Sequence, residues 1–280
     1  MTATPAALGV ALITGAASGI GLATAAAMAR DGADVALLSR ADDDFGAAVE
    51  SVERQGRRAL AIAVDVGDAT AVRAAFEQVE RELGPIDAVH NNAGISMVAP
   101  LVETDDAMFE ALVRTNLAGA FHTLRESARV MQPRRRGAIV STASELALIG
   151  QAGYVGYSAT KGAILAMTRT AAAELSSWGI RVNAVCPGTT KTPLFFAEFD
   201  GVADPQAELD DNAASVAMKR IAEPAEIAEV VAFLLSERAS YITGTHIVAD
   251  GGRTTCIPVG TIGVASQENP TPTGNTDARQ

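Results

Sequence analysis

The apolar run Val10-Ala-Leu-Ile-Thr14 passes directly into Gly15-Ala-Ala-Ser-Gly19-Ile-Gly21 and then into a helix-forming stretch, Leu22–Arg30. A strand that empties into a glycine turn and a helix leaves few architectures open. Glycine lets the backbone turn tightly and approach a ligand closely. The helix start that follows presents free backbone N–H groups and the positive end of its dipole, a natural seat for a pyrophosphate. The glycine spacing is Gly-x-x-x-Gly-x-Gly, which differs from the familiar Gly-x-Gly-x-x-Gly dinucleotide fingerprint. Taken alone, it is also consistent with an ordinary turn in an alanine-rich segment.

The rest of the chain repeats that opening unit. Short apolar runs occur at Val10–Thr14, Asp34–Ser39, Ala59–Val64, Ala88–Asn91, Ala138–Ser141, Arg181–Val185 and His246–Ala249. Helical patterns lie between them at about 20–31, 45–55, 69–83, 105–132, 154–178 and 224–235. Alternation of this kind predicts an α/β fold, a doubly wound parallel sheet with helices on both faces. The strands lack strict polar alternation, as expected of strands covered on both sides. There is no internal repeat and no linker, so a single domain over 1–253 is expected, followed by an extension over 254–280. Cys256–Val264 is apolar enough to pack, whereas Ser266–Gln280 has the composition of a disordered tail.

Composition excludes several functions. Hydrophobic residues make up 48% of the chain, yet no run reaches the roughly 18 uncharged apolar residues of a membrane helix. The first eight residues do not resemble a secretory signal, and two cysteines make no disulfide framework, so a cytoplasmic setting is expected. A net charge of −11 argues against a nucleic-acid partner. The three histidines, His90, His122 and His246, share no metal-ligand spacing, and no metal site is expected.

Tyr157-Ser-Ala-Thr-Lys161 places a phenol and an ammonium four residues apart, on one face of a helix. A free tyrosine titrates near pH ~10, and a nearby fixed cation pulls that value down. The same pair on a helix surface would be merely structural. Its company is Thr14–Gly21, Asn91-Asn-Ala-Gly94, Asn116, Ser144 and Pro187-Gly188, in that order, with a terminal Asp250-Gly-Gly252. Over roughly residues 8 to 253 this series resembles the short-chain dehydrogenase/reductase family. The resemblance implies a Rossmann-like fold and an oxidoreductase that interconverts a secondary alcohol and a ketone with a nicotinamide dinucleotide.

By the same resemblance Tyr157 is the general acid or base, and Lys161 lowers its pKa and binds the cofactor ribose. Ser144 polarises the substrate oxygen, and Asn116 holds a water connecting Lys161 to solvent. Gly15, Ser18, Gly19, Ile20 and Gly21 form the phosphate turn, and Asp65 and Val66 lie at the adenine. Asn92, Ala93 and Gly94 lie near the ribose, and Pro187, Gly188, Thr190 and Thr192 at the nicotinamide and phosphates. A catalytically silent nucleotide sensor or scaffold on the same fold is the alternative; the intact Asn116, Ser144, Tyr157 and Lys161 argue against it.

The tip of the second strand bears on cofactor choice. An acidic residue there would accept hydrogen bonds from a ribose 2′-hydroxyl. This chain instead has Ser39 followed by Arg40, and a guanidinium pairs well with a 2′-phosphate. NADP(H) is therefore favoured over NAD(H), although Asp42, Asp43 and Asp44 are available to occupy Arg40.

Residues 191–217 correspond to the family's substrate lid, and Phe195, Phe196 and Phe199 cluster within it. They suggest a fairly apolar small-molecule substrate; the same rings could equally be packing anchors of a solvated loop. Ala163, Ala166, Met167, Thr170, Ala171 and Leu175 form a small-residue stripe at helical spacing. Relatives pair this helix across a two-fold axis, so a homotetramer is expected, with a dimer as fallback; otherwise the stripe packs on its own sheet.

Overall fold

The computed structural model describes residues 9–256, and the remaining extension, 257–280, lies outside them. Seven parallel strands form one sheet in the order β3-β2-β1-β4-β5-β6-β7. They are β1 Val10–Thr14, β2 Asp34–Ser39, β3 Ala59–Ala63, β4 Ile86–Asn91, β5 Gly137–Thr142, β6 Ile180–Pro187 and β7 His246–Ala249. The chain winds outward from β1 to β3, then returns to place β4 on the other side of β1. That reversal opens a crevice beyond the carboxyl ends of β1 and β4, the usual ligand position in such sheets.

Strand periodicity sorts the side chains into two layers. Ala11, Ile13, Val35 and Leu37 point to one face, against helices α1 (Gly19–Arg30), α2 (Gly46–Glu53) and α9 (Pro224–Leu235). Val10, Leu12, Ala36 and Leu38 point to the other, against α3 (Ala69–Glu82), α5 (Gly119–Met131) and α6 (Val155–Leu175). In α3 the buried Val72, Ala75, Phe76 and Val79 recur at one-turn spacing, and the Asp68 carboxylate caps the first turn by accepting from the Thr70 and Ala71 N–H groups.

Two segments differ from the sequence expectation. The single helix expected over 105–132 is α4 (Asp106–Leu112), a π-helical turn over Val113–Ala118, and α5. The widened turn carries Asn116, a poor helix former, fully buried. In 191–217, two further helices form: α7 (Pro193–Phe196), capped by Thr192, and α8 (Pro205–Ser215), capped by Asp204. Both carry proline in the first turn, where its missing N–H costs nothing.

Candidate active site

A cleft of about 700 Å³ runs along the carboxyl edge of the sheet. Its floor is the glycine turn. Gly19 begins α1 with φ +53, and a β-carbon there would lie 3.0 Å from Thr192 Cγ2. Gly21 packs so closely that a β-carbon would lie 2.0 Å from the Gly15 carbonyl oxygen. Ser18 has the extended backbone of an N-cap, yet its hydroxyl makes no capping bond, and the first turn carries no acidic residue. The helix N-terminus is thus left uncompensated toward the cleft, which suits a pyrophosphate. Gly15, Ser18, Gly19 and Ile20 line the cleft, whereas Gly21 serves the packing beneath it.

Every other residue assigned to cofactor binding from sequence also borders this cleft: Ser39, Arg40, Asp65, Val66, Asn92, Ala93, Gly94, Tyr157, Lys161, Pro187, Gly188, Thr190 and Thr192. Thr14 fixes the loop after β4, since its hydroxyl lies 2.9 Å from the Asn92 nitrogen and 3.0 Å from that of Ala93. Asp65 accepts from the Gly67 N–H at 2.8 Å and from Arg114 at 2.6 Å. Thr190 donates to the Gly188 carbonyl at 2.9 Å, holding the turn that leaves β6.

At the tip of β2, Asp43 occupies the neighbourhood of both cofactor-selecting residues. Its Oδ2 accepts from Ser39 Oγ at 2.5 Å and from the Arg40 N–H at 3.0 Å. Its Oδ1 lies 3.3 Å from Arg40 Nη2, and Asp42 lies 3.6 Å from Arg40 Nε. The Arg40 side chain is 64% exposed.

Three of the four residues expected to carry chemistry, Ser144, Tyr157 and Lys161, border the cleft. Lys161 Nζ donates to the Thr142 carbonyl at the end of β5 at 2.9 Å and lies 5.5 Å from the centre of the Tyr157 ring. Ser144 caps the short turn Glu145–Ala147, its Oγ accepting from the Leu146 N–H at 3.1 Å. Burial pushes the Tyr157 hydroxyl up to about 12 and the Lys161 ammonium down to about 8. The Ser144 hydroxyl works against the Tyr157 shift, while Glu198 and Glu145 add to it. Loss of hydration is the largest influence on Tyr157, and its direction is opposite to the lowering expected from Lys161.

Asn116 does not line the cleft; it shapes the wall. Its Oδ1 accepts from the Ile95 N–H at 2.8 Å, and its Nδ2 donates to the Ile95 carbonyl at 2.9 Å and to Thr160 at 3.3 Å. The π turn thereby pins the loop after β4 to the helix that carries Tyr157 and Lys161.

Two cleft residues, Arg253 and Tyr154, had no assigned role in the sequence reading, and each meets a carboxylate. Glu145, 3% exposed, pairs with Arg253 at 2.6 Å, and burial raises its carboxyl to about 7. Arg253 also donates to Gln151 at 2.8 Å, bringing the turn after Asp250-Gly-Gly252 into the active site. Tyr154 donates to Glu198 at 2.7 Å. These contacts span 44 to 108 residues in sequence, so no local spacing signals them. Of the lid rings, Phe195 borders the cleft, but it packs edge-on against Phe199, 4.8 Å between centres, and tilted against Phe196 at 5.6 Å.

Residues 15–254 match the family model described as enoyl-(acyl carrier protein) reductase. A short-chain type dehydrogenase/reductase from Mycobacterium marinum superposes with a TM-score of 0.82 at 34% identity, covering 88% of this chain and 96% of that one. The chain belongs to the short-chain dehydrogenase/reductase family. Oxidoreductase UcpA of Escherichia coli K12 is 36% identical over 247 residues, 87% of this chain and 94% of that protein. Levodione reductase superposes with a TM-score of 0.86 at 34% identity, covering 89% of this chain and 98% of that one. Among the described residues no group of three or more metal-ligating side chains is assembled, and no helix is long and apolar enough to cross a membrane.

Proposed function

We propose that this family member is an NAD(P)-dependent oxidoreductase that interconverts a secondary alcohol and a ketone, with Tyr157 as the proton-transfer residue. The observation that carries the reading is the convergence of Tyr157, Lys161 and Ser144 in the cleft whose floor is the glycine turn. A bound nicotinamide dinucleotide would accept the hydride in alcohol oxidation or give it in ketone reduction. Tyr157 takes the hydroxyl proton as the carbinol carbon loses its hydride, and returns a proton to the carbonyl oxygen in reduction. Ser144 holds that oxygen. Lys161 holds the cofactor ribose, and Asn116 positions the wall through Ile95.

The proton balance sets the pH dependence. Oxidation needs the phenolate and rises with pH; reduction needs the phenol and falls as pH rises. With its hydroxyl pushed up to about 12 by burial, Tyr157 is held as the acid at neutral pH, which favours ketone reduction there. For the cofactor we favour NADP(H) over NAD(H), with Arg40 as the residue that meets the 2′-phosphate. We further read the protein as a cytoplasmic homotetramer, or a dimer as fallback. Exposed Phe109 and Phe121 on α4 and α5, and Val155 on α6, support an interface there. Leu175 of the expected stripe is instead buried in its own core, with Met167 and Ala171 packed beside it, leaving Ala166 and Thr170 outward.

The test is a screen of ketones and secondary alcohols with each cofactor, followed by nicotinamide absorbance, on the wild type and Tyr157→Phe. Removing only the hydroxyl should lower kcat by at least ~10²-fold while cofactor binding persists. Activity of the variant within tenfold of wild type would remove Tyr157 from the mechanism.

A further inference from the structure

We propose that Glu198 reads hydroxyl groups on the substrate, so that the site takes a vicinal diol or polyol, and the corresponding α-hydroxy ketone in the reverse direction. The proposal rests on the dehydrogenase reading above and adds to it the substrate class.

Glu198 lies on the turn Ala197–Phe199 that follows α7 and borders the cleft. Its two oxygens reach two separate segments of the chain. Oε1 accepts from Ser96 Oγ, in the loop after β4, at 2.6 Å. Oε2 accepts from the Tyr154 hydroxyl, just before α6, at 2.7 Å. The Tyr154 ring in turn stands edge-on to the Tyr157 ring, 6.1 Å between centres. A carboxylate offers about four acceptor positions, of which two are taken here, both by uncharged hydroxyls. The remaining positions form a site for further O–H donors next to the reacting centre, and Glu198 is near enough to raise the Tyr157 pKa.

The surroundings favour the same ligand chemistry. Gln151, Thr189 and Asn212 border the same cleft and supply neutral donors and acceptors. The aromatic rings of the lid pack against one another. A carboxyl or phosphate group on the substrate would meet the Glu198 charge. An ammonium group would meet Arg253 and Lys161, which border the same space. A neutral hydroxyl meets neither penalty, and its hydrogen bond to a carboxylate is charge-assisted.

Matched probes test this: cyclohexane-1,2-diol against cyclohexanol, and xylitol against 2-pentanol, oxidised by wild type, Glu198→Ala and Glu198→Gln. We expect the wild type to prefer each hydroxylated partner in kcat/KM by ~10–100-fold, the range for a hydrogen bond to a charged group. The preference should collapse toward unity in Glu198→Ala. A loss shared equally by diol and mono-alcohol would mean that Glu198 only latches the lid, and would overturn the proposal. So would a wild-type preference for cyclohexanol, for 2-aminocyclohexanol over the diol, or for 2-hydroxycyclohexanecarboxylate. Thermal stabilisation of Tyr157→Phe with bound cofactor, by the diol over cyclohexanol and abolished by adding Glu198→Ala, reads recognition without turnover. Stabilisation without turnover of any probe by wild type would sink the dehydrogenase reading and keep Glu198 as the hydroxyl reader. Turnover of the mono-alcohols with no gain from the second hydroxyl would do the reverse.

Discussion

Arg40→Ala is the sharpest test of cofactor choice, because the structure sets its size. A hydrogen-bonded contact between charged groups contributes about 1.5–3 kcal/mol when well formed. Arg40, however, is 64% exposed and is already shared with Asp43 at 3.3 Å and Asp42 at 3.6 Å. Exposed pairs of that kind contribute about 0–1 kcal/mol. Pairing with a 2′-phosphate must displace them, so the expected loss sits at the lower end, about 1.5–2 kcal/mol, or a roughly 10–30-fold weaker Kd for NADPH. NADH lacks the phosphate and should move by less than about twofold. Asp43→Asn tests the same site from the other side. It removes a negative charge beside the phosphate and loosens the carboxylate's hold on Ser39 and Arg40, so NADPH should bind about 3–10-fold tighter. The two effects should be non-additive, since Arg40 and Asp43 touch. Quenching of nicotinamide fluorescence on titration with each cofactor gives these constants. If Arg40→Ala leaves NADPH within twofold, or the wild type binds NADH tenfold more tightly, the NADP(H) assignment fails, and Asp43 becomes the acceptor for a ribose 2′-hydroxyl.

Asn116→Ala strips both backbone groups of Ile95 of their partners; we expect a loss of about 2–3 kcal/mol, read as a Tm lower by about 5 °C, together with lower activity. An unchanged Tm would show that water replaces the clamp. His90 is fully buried, and burial lowers its pKa to about 3 from 6.5. Between those values the unfolded chain binds a proton that the folded one does not, so stability falls as pH drops through that window. Urea unfolding should therefore show wild type losing about 3 kcal/mol more than His90→Gln between pH 7 and pH 4; parallel curves would remove His90 as the cause. Light scattering at micromolar concentration should give the mass of four chains, or of two, and a single-chain mass would refute the helix interface.

Much of the architecture was legible because its signals are local. Val10–Thr14, Asp34–Ser39 and His246–Ala249 coincide with β1, β2 and β7, since short apolar runs bounded by turns have few other uses in an α/β chain. Apart from Tyr157 and Lys161 on α6, the candidate cofactor residues lie at the ends of parallel strands or in the turns that follow them, where this topology gathers its loops. Segment 191–217 was opaque: it lacks apolar periodicity, although Thr192-Pro193 and Asp204-Pro205 are legible helix starts. Contacts such as Arg253 with Glu145, or Glu198 with Ser96, depend on how remote loops meet, and no spacing encodes that. The raised Tyr157 pKa was equally hidden, because burial is a property of the fold.

The widened turn Val113–Ala118 makes chain length the constraint in that segment. Gly119 N–H reaches back five residues to the Arg114 carbonyl, so the helix carries one residue more than a regular one would. Deleting a residue between Val113 and Asn116 would let the helix close up with ordinary bonding and good stability. It would also turn the helix on one side of the gap by about 100° relative to the other, moving Asn116 off Ile95 or α5 off the sheet. A shortened chain of this kind should keep a continuous helix there and lose the hold of Asn116 on Ile95.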